Sequence, residues 1–316
     1  MDFLFVIDPV ETLNPRKDSS LDLMLEASHR QHRVSILDFR GVRLLNGEVF
    51  CEATEVDVAP GILESDHASS GLEPTGASRS VPVADFDVVF IRKDPPFDSD
   101  YLALTYLLER AEGKAQFVNS PRGVREVSEK LFGTRYRSHM PRTMVTWDLQ
   151  AAIGFAVEHE KVVLKPAFLG SGEGIFLCSG RDENFEARVN TILSMEPRGP
   201  VIVQEYLPEG REGDTRVMVL DGSPIAALGR KPAAGDFRAN IAVGGKAVAT
   251  DLTDEQTAIA NEVGKDIQQR GIVFAGLDFI GDRLIEINVT SPTLIQELRR
   301  VSGVDMSHKI LDFLGA

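Results

Sequence analysis

The sequence predicts an α/β domain followed by two α+β lobes, and three observations lead there. Apolar runs of strand length alternate with helical patterns over the first ~120 residues, as a mostly parallel sheet requires. From about residue 160 the apolar runs come in pairs around glycine-bearing turns, the mark of antiparallel strands. The last such pair, LDFIGDRLIEINVTSPT (277–293), breaks its apolar runs with oxygen-bearing side chains, so one face of that hairpin is polar. A chain of 316 residues suits two or three domains, and the expected divisions are 1–122, 123–200 and 201–316.

Totals narrow the class. Hydrophobic residues make up 43% and charged residues 26%, the balance of a soluble globular protein. No apolar run approaches the ~18 residues that span a bilayer. The opening MDFLFVIDPV has no basic n-region and breaks at Asp8-Pro9, so it reads as a buried strand rather than a signal peptide. A net charge of −14 disfavours nucleic acid as a partner. Cys51 and Cys178 stand far apart with no CxxC, which argues against a disulfide framework or a zinc site. A cytoplasmic setting with neither nucleic acid nor membrane as partner is expected.

In chain order, FLFVI (3–7) reads as a strand, and Leu21, Leu25 and Ala27 mark a helical face. VSILDF (34–39) and DVVFIRK (87–93) read as strands, YLALTYLLERAEG (101–113) as a helix and QFVNS (116–120) as a strand. Residues 59–83 are nearly all turn formers and read as a mobile surface loop. VREVSEKLFG (124–133) reads as a helix. KVVLKPA (161–167) and GIFLCSG (174–180) read as paired strands around a glycine-rich loop. From 201, VIVQEYL, TRVMVLDG, PIAALGRK and the closing hairpin read as one antiparallel sheet, with a helix at 253–270 packed on it.

The closing hairpin raises a chemical question. Glu286 and Asn288 share one strand face. A two-residue turn at Gly281-Asp282 would set Asp278 against Ile285. A three-residue turn, Gly281 to Arg283, pairs Ile280 with Leu284 and Asp278 with Glu286, whose Cβ atoms would lie ~4.5–5.5 Å apart. Like charges so close repel unless a hard divalent cation joins them, and Mg²⁺ takes a few carboxylates while keeping waters or phosphate oxygens. Turn preference favours the two-residue form, because glycine comes first. Chemistry favours the three-residue form, and that is the expectation. A solvated acidic face is the plainer account of the hairpin taken alone.

Other stretches are suited to anions. AFLGSGEG (167–174) carries Gly170, Gly172 and Gly174, whose N–H groups can approach phosphate, although it matches neither GxxxxGK[ST] nor GxGxxG. Lys165 emerges at the end of an apolar strand, and Lys130 sits in a helical pattern where solvation is the ordinary fate. GRKPAAGDFRANIAVGGK (229–246) sets Arg230, Lys231, Arg238 and Lys246 against Asp236 alone, a long basic loop fit to be a lid over an anionic ligand or, more simply, an exposed connection. In NPRKDSSLDLMLEA (14–27), Arg16 and Lys17 precede a helix capped by Asp18 or Ser19, with Ser19 and Asp22 at capping-box-like spacing. FIRKDPPFD (90–98) delivers Arg92, Lys93 and Asp94 beyond a strand's carboxyl end, where α/β sheets bind ligands.

Together, DPVETLNPRKDSS, IRKDPPFD, EKLF, VLKP, QEYLP, RANIAVGG and GLDFIGDRLIEINVTSPT resemble bacterial glutathione synthetase, an ATP-grasp ligase family, over essentially the whole chain. The resemblance implies a Rossmann-like N-terminal substrate domain (1–122), a central ATP-grasp lid domain (123–200) and a C-terminal ATP-grasp domain with the metal site (201–316). It implies ATP as co-substrate and Mg²⁺ as the metal, with Mn²⁺ able to replace it. The family's ATP lysines fall on Lys130 and Lys165, its adenine hinge on Gln204, Glu205, Tyr206 and Leu207, and its metal ligands on Asp278, Glu286 and Asn288. Its catalytic arginines fall on Arg216, Arg230 and Arg238, with Asn240 alongside at the nucleotide. Substrate residues fall on Lys17, Asp18, Ser19, Ser20, Arg92, Lys93, Asp94, Ser291 and Thr293. The glycine-rich loop departs from the family's LDGMGG, and the lid start GRKPAAGDF from its RIPxGGE pattern.

The reaction so implied joins γ-glutamylcysteine to glycine through an acyl phosphate, releasing ADP and phosphate, in a homo-oligomer, a dimer or tetramer. A ligase for a different peptide or amino acid pair is the alternative reading. A nucleotide-binding regulator without turnover is a third, and the Asp278, Glu286 and Asn288 set argues against it.

Overall fold

The computed structural model describes residues 1–170 and 172–316, which build three sheets. The first contains β1 (Asp2–Ile7), β2 (Arg33–Asp38), β3 (Val42–Leu45), β4 (Glu48–Val58), β5 (Leu72–Pro74), β6 (Arg79–Pro82), β7 (Val88–Ile91) and β8 (Gln116–Val118). Its centre is parallel, in the order β2-β1-β7-β8. The continuous apolar runs of β1 and β7 fit strands covered on both faces. The outer part is antiparallel. β4 pairs with β2 and β3 and also carries β5 and β6. Residues 59–83, expected as a loop, therefore supply two short strands. β4 offers them a ready hydrogen-bonding edge, which their own turn-rich composition does not reveal.

Helix α1 (Ser19–His29) is capped by Asp18, whose Oδ1 accepts from the N–H groups of Ser20 and Leu21 at 2.6 and 2.9 Å. Ser19 is thus the first helical residue, and the Ser19–Asp22 box does not form. α2 (Ser99–Leu108) and α3 (Pro121–Glu126) follow. The helix expected over 124–133 breaks at Val127 (φ −94°, ψ 74°) and yields to a 3-10 turn at Phe132–Tyr136. In between, Glu129 turns back to bond the third sheet.

The second sheet holds β9 (Thr143–Thr146), β10 (Val162–Pro166), β11 (Phe176–Cys178) and β12 (Val201–Glu205), in the order β11-β10-β12-β9, all antiparallel. α4 (Leu149–Val157) and α5 (Phe185–Ser194) close a core of their own with it. The expected pairing of residues 161–167 with 174–180 is present. The strand at 201, expected in the last sheet, belongs here instead, because β10 pairs with it from Val162↔Glu205 to Pro166↔Val201.

The third sheet is antiparallel, in the order β15-β14-β13-β16-β17, with β13 (Asp214–Leu220), β14 (Ser223–Lys231), β15 (Lys246–Ala249), β16 (Phe274–Ile280) and β17 (Arg283–Asn288). Helix α6 (Asp254–Gln268) packs on it behind a capping box of Thr253 and Gln256. α7 (Ile295–Ser302) and α8 (Met306–Phe313) return to α1, where Arg299 forks onto Asp22 at 2.8 and 3.1 Å. The first and third sheets share apolar cores, Leu4 and Val6 clustering with Val217 and Leu277. Buried Asn119, just past β8, fastens them. Its Oδ1 accepts from Val273 and Phe274 N–H at 2.8 Å, and its Nδ2 donates to the carbonyls of Phe274 and Val289 at 2.7 and 2.8 Å.

The closing hairpin corrects the turn while keeping the pairing. Ile280 pairs with Arg283, so the turn has two residues, with Gly281 at φ +54° in its first position. Asp278 nevertheless pairs with Glu286, because the register shifts between Asp278 and Phe279 and Ile285 is the extra residue. A β-bulge meets both demands, since one unpaired residue returns the following side chains to the required face.

Candidate active site

A cleft opens between the second and third sheets, and cross-strand register sets its charged wall. Asp214 faces Arg230 across β13 and β14, while Arg216 faces Asp278 across β13 and β16. Arg216 forks onto Asp278 through Nε and Nη2, both at 2.7 Å, and Arg230 forks onto Asp214 at 2.6 and 2.7 Å. Arg230 Nη2 also reaches Asp278 Oδ2 at 2.9 Å, joining the pairs into an alternating row of four charges, with Asp214 half-buried and the other three buried. Gly276 makes room for it, because a Cβ there would stand 3.3 Å from Cδ and Nε of Arg216. Burial alone would raise the pKa of Asp278, but Arg216 and Arg230 hold it well below the carboxylate range.

This row changes the account of Asp278 and Glu286. Two arginines already balance Asp278, so a cation is not needed to prevent repulsion. Asp278 accepts twice from Arg216, once from Arg230 and once from Asn288 Nδ2 at 3.3 Å, which fills its lone-pair directions. Asn288 Nδ2 also donates to Gly276 O at 3.2 Å, so its side-chain oxygen is the atom it can offer a cation. Glu286 Oε1 lies 3.2 Å from Lys130 Nζ. Among the described residues no group of three His, Cys, Asp or Glu side chains is arranged to hold a metal. Glu286 and the Asn288 oxygen still fit a cation that fills most of its shell with phosphate oxygens and water.

The opposite wall carries Lys165, and Lys130 bridges the two walls. Lys165 leaves β10 and donates to Gln204 Oε1 at 2.8 Å, and Gln204 passes the contact to Thr143 Oγ1 at 3.0 Å. Burial lowers the Lys165 pKa to about 8. Lys130 Nζ also donates to the carbonyl of Leu169. Glu205 to Leu207 line the cleft where β12 ends, with the Tyr206 N–H held by Lys161 O.

The glycine-rich loop lies above them. Gly172 and Gly174 take positive φ, +81° and +67°, and a Cβ on Gly170 would stand 3.0 Å from Pro95. Ser171 lies outside the described residues. The basic loop reaches this point from β14: Arg238 Nη1 donates to Gly172 O at 3.3 Å, and Asn240 packs beside Gly172. Asp236 grips Arg238 through Nε at 3.1 Å and Nη2 at 2.8 Å.

The N-terminal residues divide. Asp94, Ser291 and Thr293 line the cleft, and surrounding protein raises the Asp94 pKa to about 6. Arg92 is buried below, bonding Ser20 Oγ at 3.1 Å and Pro292 O at 3.0 Å. Lys93 is buried over the rings of Phe39 and Tyr101 and bonds the carbonyl of its neighbour Asp94, so its ammonium is spent inside the domain. Lys17 is exposed, and Ser19 is buried beneath the helix cap. None of Lys17, Asp18, Ser19, Ser20, Arg92 and Lys93 lines the cleft. Sequence reasoning missed Asp214 and Glu129 in the wall. Asp214 carried a signal, standing two residues from Arg216 on one strand face.

Two sheets closing on a cleft that holds two lysines beside a row of acids and arginines define an ATP-grasp protein. Solved structures agree: D-cycloserine synthetase DcsG matches at TM-score 0.67 and 16% identity, covering 99% of this chain and 100% of that one. The macrocyclase MdnC from Microcystis aeruginosa matches at TM-score 0.64 and 14% identity, covering 100% and 99%. These likenesses show the fold. The family models narrow it. Residues 1–125 match the prokaryotic glutathione synthetase N-terminal domain and 129–303 the prokaryotic glutathione synthetase ATP-grasp domain. The glutathione synthetase of Synechocystis is 37% identical over 317 residues, with 99% of each chain covered. That of Escherichia coli K12 is 36% identical over 313 residues, covering 98% of this chain and 96% of its own. The chain belongs to the prokaryotic glutathione synthetase family.

Proposed function

We propose that the protein is an ATP-dependent ligase that joins γ-glutamylcysteine to glycine, giving glutathione, ADP and phosphate. The observation that carries this reading is the bulged register of β16 and β17. It puts Asp278, Glu286 and Asn288 on the cleft face, with Lys130 against Glu286 and Lys165 on the facing sheet. The carboxylate of γ-glutamylcysteine attacks the γ-phosphorus of ATP and ADP departs. The glycine amine then attacks the acyl carbon, loses a proton, and phosphate leaves with the former carboxylate oxygen. Lys130 and Lys165 bind ATP phosphates, while residues 204–207 receive adenine. Arg216, Arg230 and Arg238 face the charge that grows on the transferring phosphoryl group and on the tetrahedral oxyanion. Asn240 and the loop glycines cover the phosphates, and residues 229–246 keep water from the acyl phosphate. Asp94, Ser291 and Thr293 border the dipeptide, with Arg92 fixing their base.

Glu286 and the Asn288 oxygen would hold Mg²⁺, or Mn²⁺ in its place, with Asp278 joining when one arginine contact is exchanged. Bound there, the ion would neutralise charge on the phosphates and align them for transfer. Divisions near 122 and 200, a cytoplasmic location and a homo-oligomer belong to the same reading, with β12 counted in the central lobe.

Incubation with γ-glutamylcysteine, Mg·ATP and a panel of amines tests it. Glycine should give the fastest phosphate release, matched by glutathione. Faster turnover with another amine would favour the alternative ligase, and nucleotide binding without amine-dependent turnover would favour a regulator.

A further inference from the structure

The EKLF stretch contributes a second residue that the proposed chemistry does not use. Glu129 is half-buried in the cleft wall beside Lys130, and its carboxylate reaches the end of β17. One of its oxygens, Oε1, accepts three hydrogen bonds: from Val289 N at 3.0 Å, Thr290 N at 3.1 Å and Thr290 Oγ1 at 2.7 Å. Its own carbonyl accepts from Ile287 N at 2.9 Å. Residues 287, 289 and 290 thus bond to one residue, and Asn288 is the member between them.

β17 is an edge strand of its sheet, so nothing on that side would otherwise hold its last residues in place. Beyond Asn288 the chain leaves the sheet, and its N–H groups need acceptors. Glu129 supplies them where the cation-binding oxygens sit. The adjacent Lys130 bonds Glu286, so two consecutive residues fasten both ends of the Glu286–Asn288 segment.

We infer that Glu129 is a positioning residue that fixes the Asn288 side-chain oxygen for the cation by gripping the peptide groups on either side of it. This rests on the proposed Mg·ATP site. It requires the reach of the side chain and its acceptor oxygen rather than its charge. Glu129 does not touch the reacting atoms.

Two conservative variants separate reach from charge. Glu129→Gln keeps the length and an acceptor oxygen and loses the charge. Glu129→Asp keeps the charge and is one methylene short. Mn²⁺ binding, read by electron paramagnetic resonance with a non-hydrolysable ATP analogue, reports on the site without turnover. Glu129→Gln should bind Mn²⁺ within about threefold of the unchanged protein. Glu129→Asp should weaken it roughly tenfold or more, in the ~10–100-fold range for residues that orient metal ligands. Thr290→Val, which deletes one of the three donors, should fall between. Glu129→Gln binding as weakly as Glu129→Asp, or Glu129→Asp binding normally, would overturn the inference. If the unchanged protein binds Mn²⁺ with the analogue but makes no glutathione, the ligase reading fails while this comparison still stands.

Discussion

Replacing Asp278 with asparagine should destabilise the protein far more than an ordinary cleft substitution. The change keeps the volume and removes one negative charge from the row Asp214, Arg230, Asp278 and Arg216. Asp278, Arg216 and Arg230 are 4%, 5% and 3% exposed, so solvent can do little to compensate. Two guanidiniums would be left with one carboxylate between them, and breaking such a buried pair costs about 3–5 kcal/mol. For a chain of this size that is a fall in Tm of roughly 5–8 °C. The pH dependence has a definite sign. The folded pKa of Asp278 lies below its unfolded value of about 3.9, so its contribution is fully present above about pH 5 and lost as pH falls further. The stability difference between the two proteins, from urea titrations, should be level from about pH 5 to 8 and shrink below about pH 4. A difference under about 1 kcal/mol at pH 7, or one that grows on acidification, would refute the reasoning.

Four other expectations concern binding, turnover and the basic loop. Glu286→Gln should fold normally, lose the Lys130 ion pair and slow ligation ~10²–10³-fold, about 2.7–4 kcal/mol of barrier, as single electrostatic contacts in active sites do. Near-normal turnover at saturating Mg²⁺ would end its role at the metal. Because Lys165 titrates at about 8 and must be charged to hold phosphate, ATP affinity should fall as pH rises through that value, with proton uptake on binding. Calorimetry in buffers of different ionisation enthalpy checks this, and a flat affinity to pH 9.5 would contradict it. Arg238→Ala should reduce turnover more than ATP affinity. Trypsin should cut residues 229–246 more slowly once ATP and γ-glutamylcysteine are bound, and equal cleavage would make the segment an exposed connection.

Much of the site was legible because chemistry constrains register. The need to bring Asp278 and Glu286 to one face predicted their pairing, although glycine at the first turn position pointed the other way. The bulge at Ile285 reconciles them, and no composition signal announces a bulge. The arginine contacts of Asp278 were hidden for another reason: Arg216 stands 62 residues away, and only the order of strands reveals which side chain faces which. Short strands at Leu72–Pro74 and Arg79–Pro82 borrow their regularity from β4 and carry no alternation long enough to read. The break after α3 was invisible for the same reason, since Glu129 leaves helical geometry to serve the end of β17. Lys93 looked like a ligand residue from its place after β7, yet two aromatic rings claim it.

Isotope transfer tests the central claim most directly. γ-Glutamylcysteine labelled with ¹⁸O in the cysteinyl carboxylate, incubated with glycine and Mg·ATP, should deliver one ¹⁸O into each inorganic phosphate released. That oxygen bridges carbon and phosphorus in the acyl phosphate and leaves with phosphorus when the amine attacks carbon. Glutathione formed with unlabelled phosphate would contradict the account.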